Sequence, residues 1–162
     1  MQTFLPYSDI NKSLKVLDNK RLGKQRVETF QIINAITGRP KLDGTPYKGW
    51  LNHPCSVMWR KHVPLLKMYL NASIDEWVSR GFKNTMDYED IDESVTYPNW
   101  WGNKKFHESH KSNLLKKDFD FYSQYRWQVD PTNPYCWQDK EGKWYEQHSG
   151  EKGKVYYDEF KL

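Results

Sequence analysis

Leu17-Asp18-Asn19-Lys20-Arg21-Leu22-Gly23-Lys24-Gln25-Arg26-Val27-Glu28 is the stretch whose reading decides the fold. It carries four basic residues between two carboxylates and runs on without proline to Thr37, where Gly38 and Pro40 close it. At 3.6 residues per turn, Arg21, Lys24, Gln25 and Glu28 share one face. Leu22, Val27, Phe30 and Ile33 serve a second, apolar face. The spacing predicts a helix that starts near Ser13 or Asp18 and ends at Thr37, with Gly38 in the left-handed position beyond it. A carboxylate among cations that bind phosphate suits nucleic-acid chemistry. A solvated surface helix has the same composition and gains little from its ion pairs.

Downstream, Gly44, Pro46 and Gly49 mark a turn-rich loop. Pro54 opens a short helix with Asn52 as its cap, and Pro64 restarts it. Leu66, Tyr69, Leu70, Ile74, Trp77 and Val78 recur at helical spacing up to Gly81. The acidic segment 87–93 reads as a mobile loop. Asn103 caps a further helix through Phe106, His110, Leu114 and Lys117, and residues 119–125 extend it or fold back on it. From Trp127 the character changes. The turn Asp139-Lys140-Glu141-Gly142, between Tyr135-Cys136-Trp137 and Lys143-Trp144-Tyr145, predicts a small β-hairpin. Val155 to Phe160 is a strand or packs its aromatics on the helices. The expected fold is mainly α: a single compact helical domain with a core over 1–125 and a loop-rich aromatic extension over 126–162.

A chain of 162 residues suits one domain. The net charge of +4 is unevenly spread: residues 1–67 hold 12 basic against 4 acidic residues, whereas residues 68–100 hold 2 against 7. A basic first half suggests a face that meets phosphate. Aromatic residues reach 16%, enough to fill a small core and to leave some for stacking on unpaired bases. The cysteines, Cys55 and Cys136, make neither a disulfide framework nor a zinc set. The segment Met1 to Pro6 lacks the features of a signal peptide, and no apolar run is long enough for a membrane span. A cytoplasmic monomer without membrane association is expected.

Three constellations carry candidate chemistry. Glu28, with Arg21, Lys24 and Arg26, is the first. A carboxylate ringed by cations stays ionised and, beside a sugar, stabilises a developing oxocarbenium or iminium charge. The second is Gly49-Trp50-Leu51-Asn52-His53-Pro54, which sets Asn52 and His53 beside the free N–H groups of a helix start, where anions bind. A capping loop with a packed Trp is the plainer alternative. The third is His107, His110 and Asn113, suited to phosphate or base contacts or to ordinary packing. The two histidines miss the His-Glu-x-x-His zinc spacing by one residue, so no metal is expected. The chain has no phosphate-binding glycine loop, dinucleotide fingerprint or nucleophile elbow, and no cofactor is implied.

Taken together, Met1 to Tyr7, Leu17 to Glu28, Gly49 to Pro54, Leu65 to Phe82 and His107 to Tyr122 resemble the pyrimidine-dimer DNA glycosylases of the phage endonuclease V type, most closely a bacterial and phage branch beginning Met-Gln-Thr-Phe-Leu-Pro-Tyr. The resemblance implies a helical fold that binds double-stranded DNA. It implies an N-terminal α-amine that attacks the sugar C1′ of a damaged nucleotide, and a glutamate, here Glu28, that supports base release and strand cleavage through a Schiff base. As a class, α-amines titrate near ~7.7–8.0, which leaves a nucleophilic fraction at neutral pH. Gln2 is too large for ready removal of the residue before it, so the nucleophile is the Met1 amine or another group. The same scaffold without the amine chemistry would be a non-catalytic DNA or nucleotide binder. A third alternative uses the aromatic tail 127–160 to dock a protein partner.

Overall fold

A computed structural model describes residues 1–148 and 154–157 of the chain. After an extended lead come helices α1 (Ile10–Lys15), α2 (Asn19–Thr37), α3 (Pro54–Trp59), α4 (Val63–Ser79), α5 (Lys104–Lys117) and α6 (Phe119–Tyr122). A short 3-10 turn, Ser123–Tyr125, leads to strands β1 (Tyr135–Gln138), β2 (Trp144–Gln147) and β3 (Lys154–Tyr156). The fold is mainly α.

Of the two predicted starts for the first long helix, Asp18 is the one observed: α2 runs from Asn19 to Thr37, and a separate short α1 precedes it. Asp18 is extended and caps α2, and Asp9 caps α1 by accepting from Lys12 N. Tyr122 Oη donates to Asp18 Oδ1 at 2.5 Å, so the break is held from a distant part of the chain. The far end behaves as read: Gly38 sits at φ 71 and its N–H returns to Asn34 O. Its apolar face is narrower than expected, because Val27 is exposed while Leu22, Ile32 and Ile33 are buried.

Helix α2 packs on α4, whose Leu65, Leu66, Leu70 and Ile74 join the same core. The two helices approach closely at Gly23, where an added Cβ would lie 3.1 Å from the Trp77 ring. Asn103 caps α5 by accepting from Phe106 N at 3.0 Å, as expected. The cap of α3 is His53 rather than Asn52: its Nδ1 accepts from Cys55 N at 3.1 Å.

The acidic segment is a loop, as expected, and it is anchored at Glu89. Arg39 grips both Glu89 oxygens, at 2.5 and 2.7 Å. Asn71 exchanges two hydrogen bonds with the Glu89 backbone, each under 3.0 Å.

The three strands form an antiparallel sheet in the order β1-β2-β3, with Trp137 opposite Tyr145 and Tyr145 opposite Tyr156. Strand β1 lies on α5 and α3, and Trp137 and Tyr145 are buried in the helical core. The aromatic extension is therefore packed into the core through its hairpin. Val155 and Tyr156 belong to β3, while residues 158–160 of that predicted segment lie outside the described residues.

Candidate active site

Residues 1–5 are extended and belong to no sheet, yet residues 2–5 are buried. Buried backbone groups need partners, and side chains from α2, α4 and α5 supply them here. Gln25 Oε1 accepts from Phe4 N at 2.8 Å, and its Nε2 donates to Gln2 O at 2.8 Å. Tyr69 Oη lies 2.8 Å from Phe4 O and 2.7 Å from Gln25 Oε1, its one proton shared between them. His110 Nδ1 accepts from Leu5 N at 2.7 Å. His107 Nδ1 donates to Leu5 O at 2.7 Å while its Nε2 accepts from Gly102 N at 3.0 Å. Thr3 Oγ1 accepts from Trp59 Nε1 at 2.8 Å.

This anchoring sets the chain start against α2. Gln2 N donates to Glu28 Oε2 at 3.3 Å, one residue from the α-amine. Met1, Gln2, Lys24, Glu28, Lys117 and Tyr135 line one cavity of about 230 Å³, to which Lys20 and Arg21 add two further cations. Hollows of about 740 and 480 Å³ lie elsewhere, beside the acidic segment and beside the hairpin turn. Neither is lined by Met1 or Glu28, so size does not identify the site.

The predicted residues divide clearly. Met1, Arg21, Lys24 and Glu28 meet at the cavity. Arg21 is held by Asp18 at 3.0 Å rather than by Glu28. Arg26 does not join them: its guanidinium lies 4.2 Å over Trp77 and donates to Asn84 Oδ1 at 2.9 Å. Residues two apart on a helix do not face each other, which separates Arg26 from Glu28. Gln25 also borders the cavity, but it is buried and its amide is engaged by the chain start. His107, His110 and Asn113 are buried and hydrogen-bonded internally, the packing alternative of the sequence reading. Asn113 Nδ2 donates to Ser109 O at 2.8 Å and to Asn133 O at 3.3 Å. Asn52 is exposed.

His53 is half-buried, edge-on to Trp50 and Trp137, with ring centres 5.5 and 5.9 Å away. Burial and the nearby α-amine charge pull its pKa down to about 4. Burial also lowers His107 and, strongly, His110, in keeping with neutral rings that accept through one nitrogen. Both cysteines are free and buried, and burial pushes the Cys55 thiol up to about 11, an unreactive state.

Lys117 and Tyr135 are among the cavity residues that the sequence reading did not single out. Lys117 stands one turn beyond Asn113 on α5, a spacing that hints at a shared face. Burial lowers its ammonium pKa, cationic Arg21 and Lys24 lower it further, and Glu28 opposes them. Tyr135 comes from β1, and no local signal ties it to Glu28. Its Oη and Gln2 Nε2 are buried polar atoms with no partner among the described residues, so both can bond to a group in the cavity. Among the described residues no cluster of His, Cys, Asp and Glu fits a metal ion.

A family model for pyrimidine dimer DNA glycosylases matches residues 1–90. The chain belongs to that family. The match contains Met1, Glu28, α2 and α4, and the family acts on DNA. No curated protein and no solved structure matches the chain. No helix among the described residues is long and apolar enough to cross a membrane.

Proposed function

We propose that this glycosylase excises a damaged base from double-stranded DNA through the Met1 α-amine and Glu28, and then cleaves the abasic strand. One observation carries the reading. The only backbone N–H between the amine and the first anchored peptide donates to Glu28, inside a cavity ringed by cations.

The neutral amine attacks C1′, the glycosidic bond breaks, and the base leaves with the bonding pair. Loss of the amine proton and opening of the sugar ring give an iminium at C1′. The Glu28 carboxylate stabilises that cation, and the fixed geometry means little reorganisation as the charge develops. Glu28 then removes a C2′ proton, and the 3′ phosphate departs by β-elimination. Lys20, Lys24 and Lys117 neutralise phosphate on either side. Water later hydrolyses the imine and frees the amine.

Borohydride trapping on duplexes with an abasic site or a pyrimidine dimer tests this, followed by peptide mass mapping. The expected adduct lies on residue 1, not on Lys117. Glu28→Gln keeps an acceptor for Gln2 N and should slow dimer release by about 10²–10³, with binding little changed. A folded protein that binds duplex, forms no adduct and releases no base would instead be the non-catalytic binder.

A further inference from the structure

The Met1–Glu28 cavity holds donors of two kinds. Lys20, Lys24 and Lys117 are charged and exposed. Tyr135 Oη and Gln2 Nε2 are buried and bond to nothing among the described residues. The Gln2 amide is already oriented: its Oε1 accepts from Thr3 N at 2.9 Å, which leaves a donor for the cavity. A buried donor without a partner costs free energy, and an occupant that brings an acceptor regains it.

The Tyr135 ring is held in place. Cys136 N donates to Ser109 Oγ at 3.2 Å, which ties β1 to α5. His110 stands perpendicular to the ring with 5.8 Å between centres. Trp137, two residues along and so on the same side of the strand, lies 5.5 Å away. Burial foremost, then the neighbouring Cys55 and Glu28, raises the phenol above the usual tyrosine range, so it stays neutral and remains a donor. The reaction proposed above has a use for such a group. The base leaves C1′ with the bonding pair, yet Glu28 and the amine serve the sugar and the exposed lysines serve phosphate. In a pyrimidine the departing pair is shared between N1 and O2, the carbonyl oxygen on the adjacent ring carbon. Negative charge therefore develops close to C1′, where a fixed neutral donor stabilises it.

We propose that Tyr135 Oη donates to O2 of the departing pyrimidine and stabilises the anion that forms as the C1′–N1 bond breaks. The phenol keeps its proton throughout. The pair moves to N1 and O2, and the base then takes a proton from solvent at N1. Resting on the reaction proposed above, Tyr135 serves the leaving group while Glu28 serves the sugar.

The test compares the full chain with Tyr135→Phe on two duplexes, one carrying a pyrimidine dimer and one an abasic site. Phenylalanine keeps the ring and removes only the hydroxyl. That hydroxyl has no partner in the free protein, so the melting temperature should hold or rise, which excludes misfolding as the cause. Single-turnover scission of the glycosidic bond in the dimer duplex should slow by about 10²-fold, the loss for one donor aimed at developing charge. Strand cleavage and borohydride trapping on the abasic duplex should stay within about twofold, because that substrate has no base to release. Undiminished scission in Tyr135→Phe, or equal slowing on both duplexes, would overturn the role of Tyr135 and leave the amine reaction standing, provided wild type traps an imine. If wild type traps no imine on either duplex, the reaction itself is wrong and the role of Tyr135 falls with it.

Discussion

Gln25 shows how one side chain places a reactive terminus. It is 1% exposed, and its amide meets Phe4 N, Gln2 O and the Tyr69 hydroxyl. Only a group with an acceptor and a donor on one plane satisfies all three. Glutamate offers two acceptors, leaves Gln2 O without its donor and buries a charge; leucine leaves Phe4 N–H unpaired. Gln25→Leu should cost about 1–3 kcal/mol in chemical denaturation for that buried donor. It should also reduce imine trapping more than duplex affinity, because the amine shifts while the surface lysines stay. Equal losses in trapping and affinity would mean that Gln25 supports the fold without aiming the amine. The face shared by Arg21, Lys24 and Glu28 was legible in the sequence because helical spacing is local. The inward role of Gln25 was not, because its partners come from the extended start of the chain and from α4.

The extended lead behaves as an element whose partners are two imidazoles of α5. His110 accepts from Leu5 N and must stay neutral for that bond to hold, while His107 donates to Leu5 O in either state but must be neutral for its Nε2 to accept from Gly102 N. Burial lowers both below the ordinary histidine pKa, and burial with the α-amine brings His53 to about 4. Unfolded histidines take up protons near pH 6.5, whereas these three resist protonation when folded. Below that pH the unfolded chain binds more protons than the native one, so stability is complete above about 6.5 and falls as the pH drops toward 4. Thermal melts should lose roughly 5–10 °C between pH 7 and pH 5. His110→Asn, whose Oδ1 can replace the Nδ1 acceptor without titrating, should flatten part of that slope; an unchanged slope would remove His110 from the account. Helix limits marked by Gly38, Pro54 and Asn103 were readable because caps and breakers act within a turn. The start of α2 was narrowed only to Ser13 or Asp18, since the break that decides for Asp18 is held by Tyr122 reaching it across 104 positions.

For the molecule as a whole, hairpin and helices share one core, so the aromatic tail is not detachable. Trp137 is 4% exposed, and Trp137→Ala should cost about 3–5 kcal/mol in urea unfolding, the range for a buried Trp truncation. A loss under about 1 kcal/mol would restore the tail as a separate docking module. Charge is organised at the same scale. The densest acidic segment is turned to Arg39, and Lys67 lies 4.0 Å from Glu89. That leaves Lys20, Lys24 and Lys117 around the cavity for phosphate. Three neutralised phosphates predict that log affinity for undamaged duplex falls against log salt with a slope of about −3, each phosphate contributing about −0.9. Lys117→Gln should remove about one from that slope and weaken binding alike on every sequence, because phosphate carries no sequence information. Fluorescence anisotropy between about 50 and 200 mM salt measures it directly. A slope left unchanged by Lys117→Gln would mean that this ammonium meets no phosphate and acts on Glu28 alone. In that case the substitution should still alter base release, because a cation that feels the Glu28 charge would be gone while duplex affinity held.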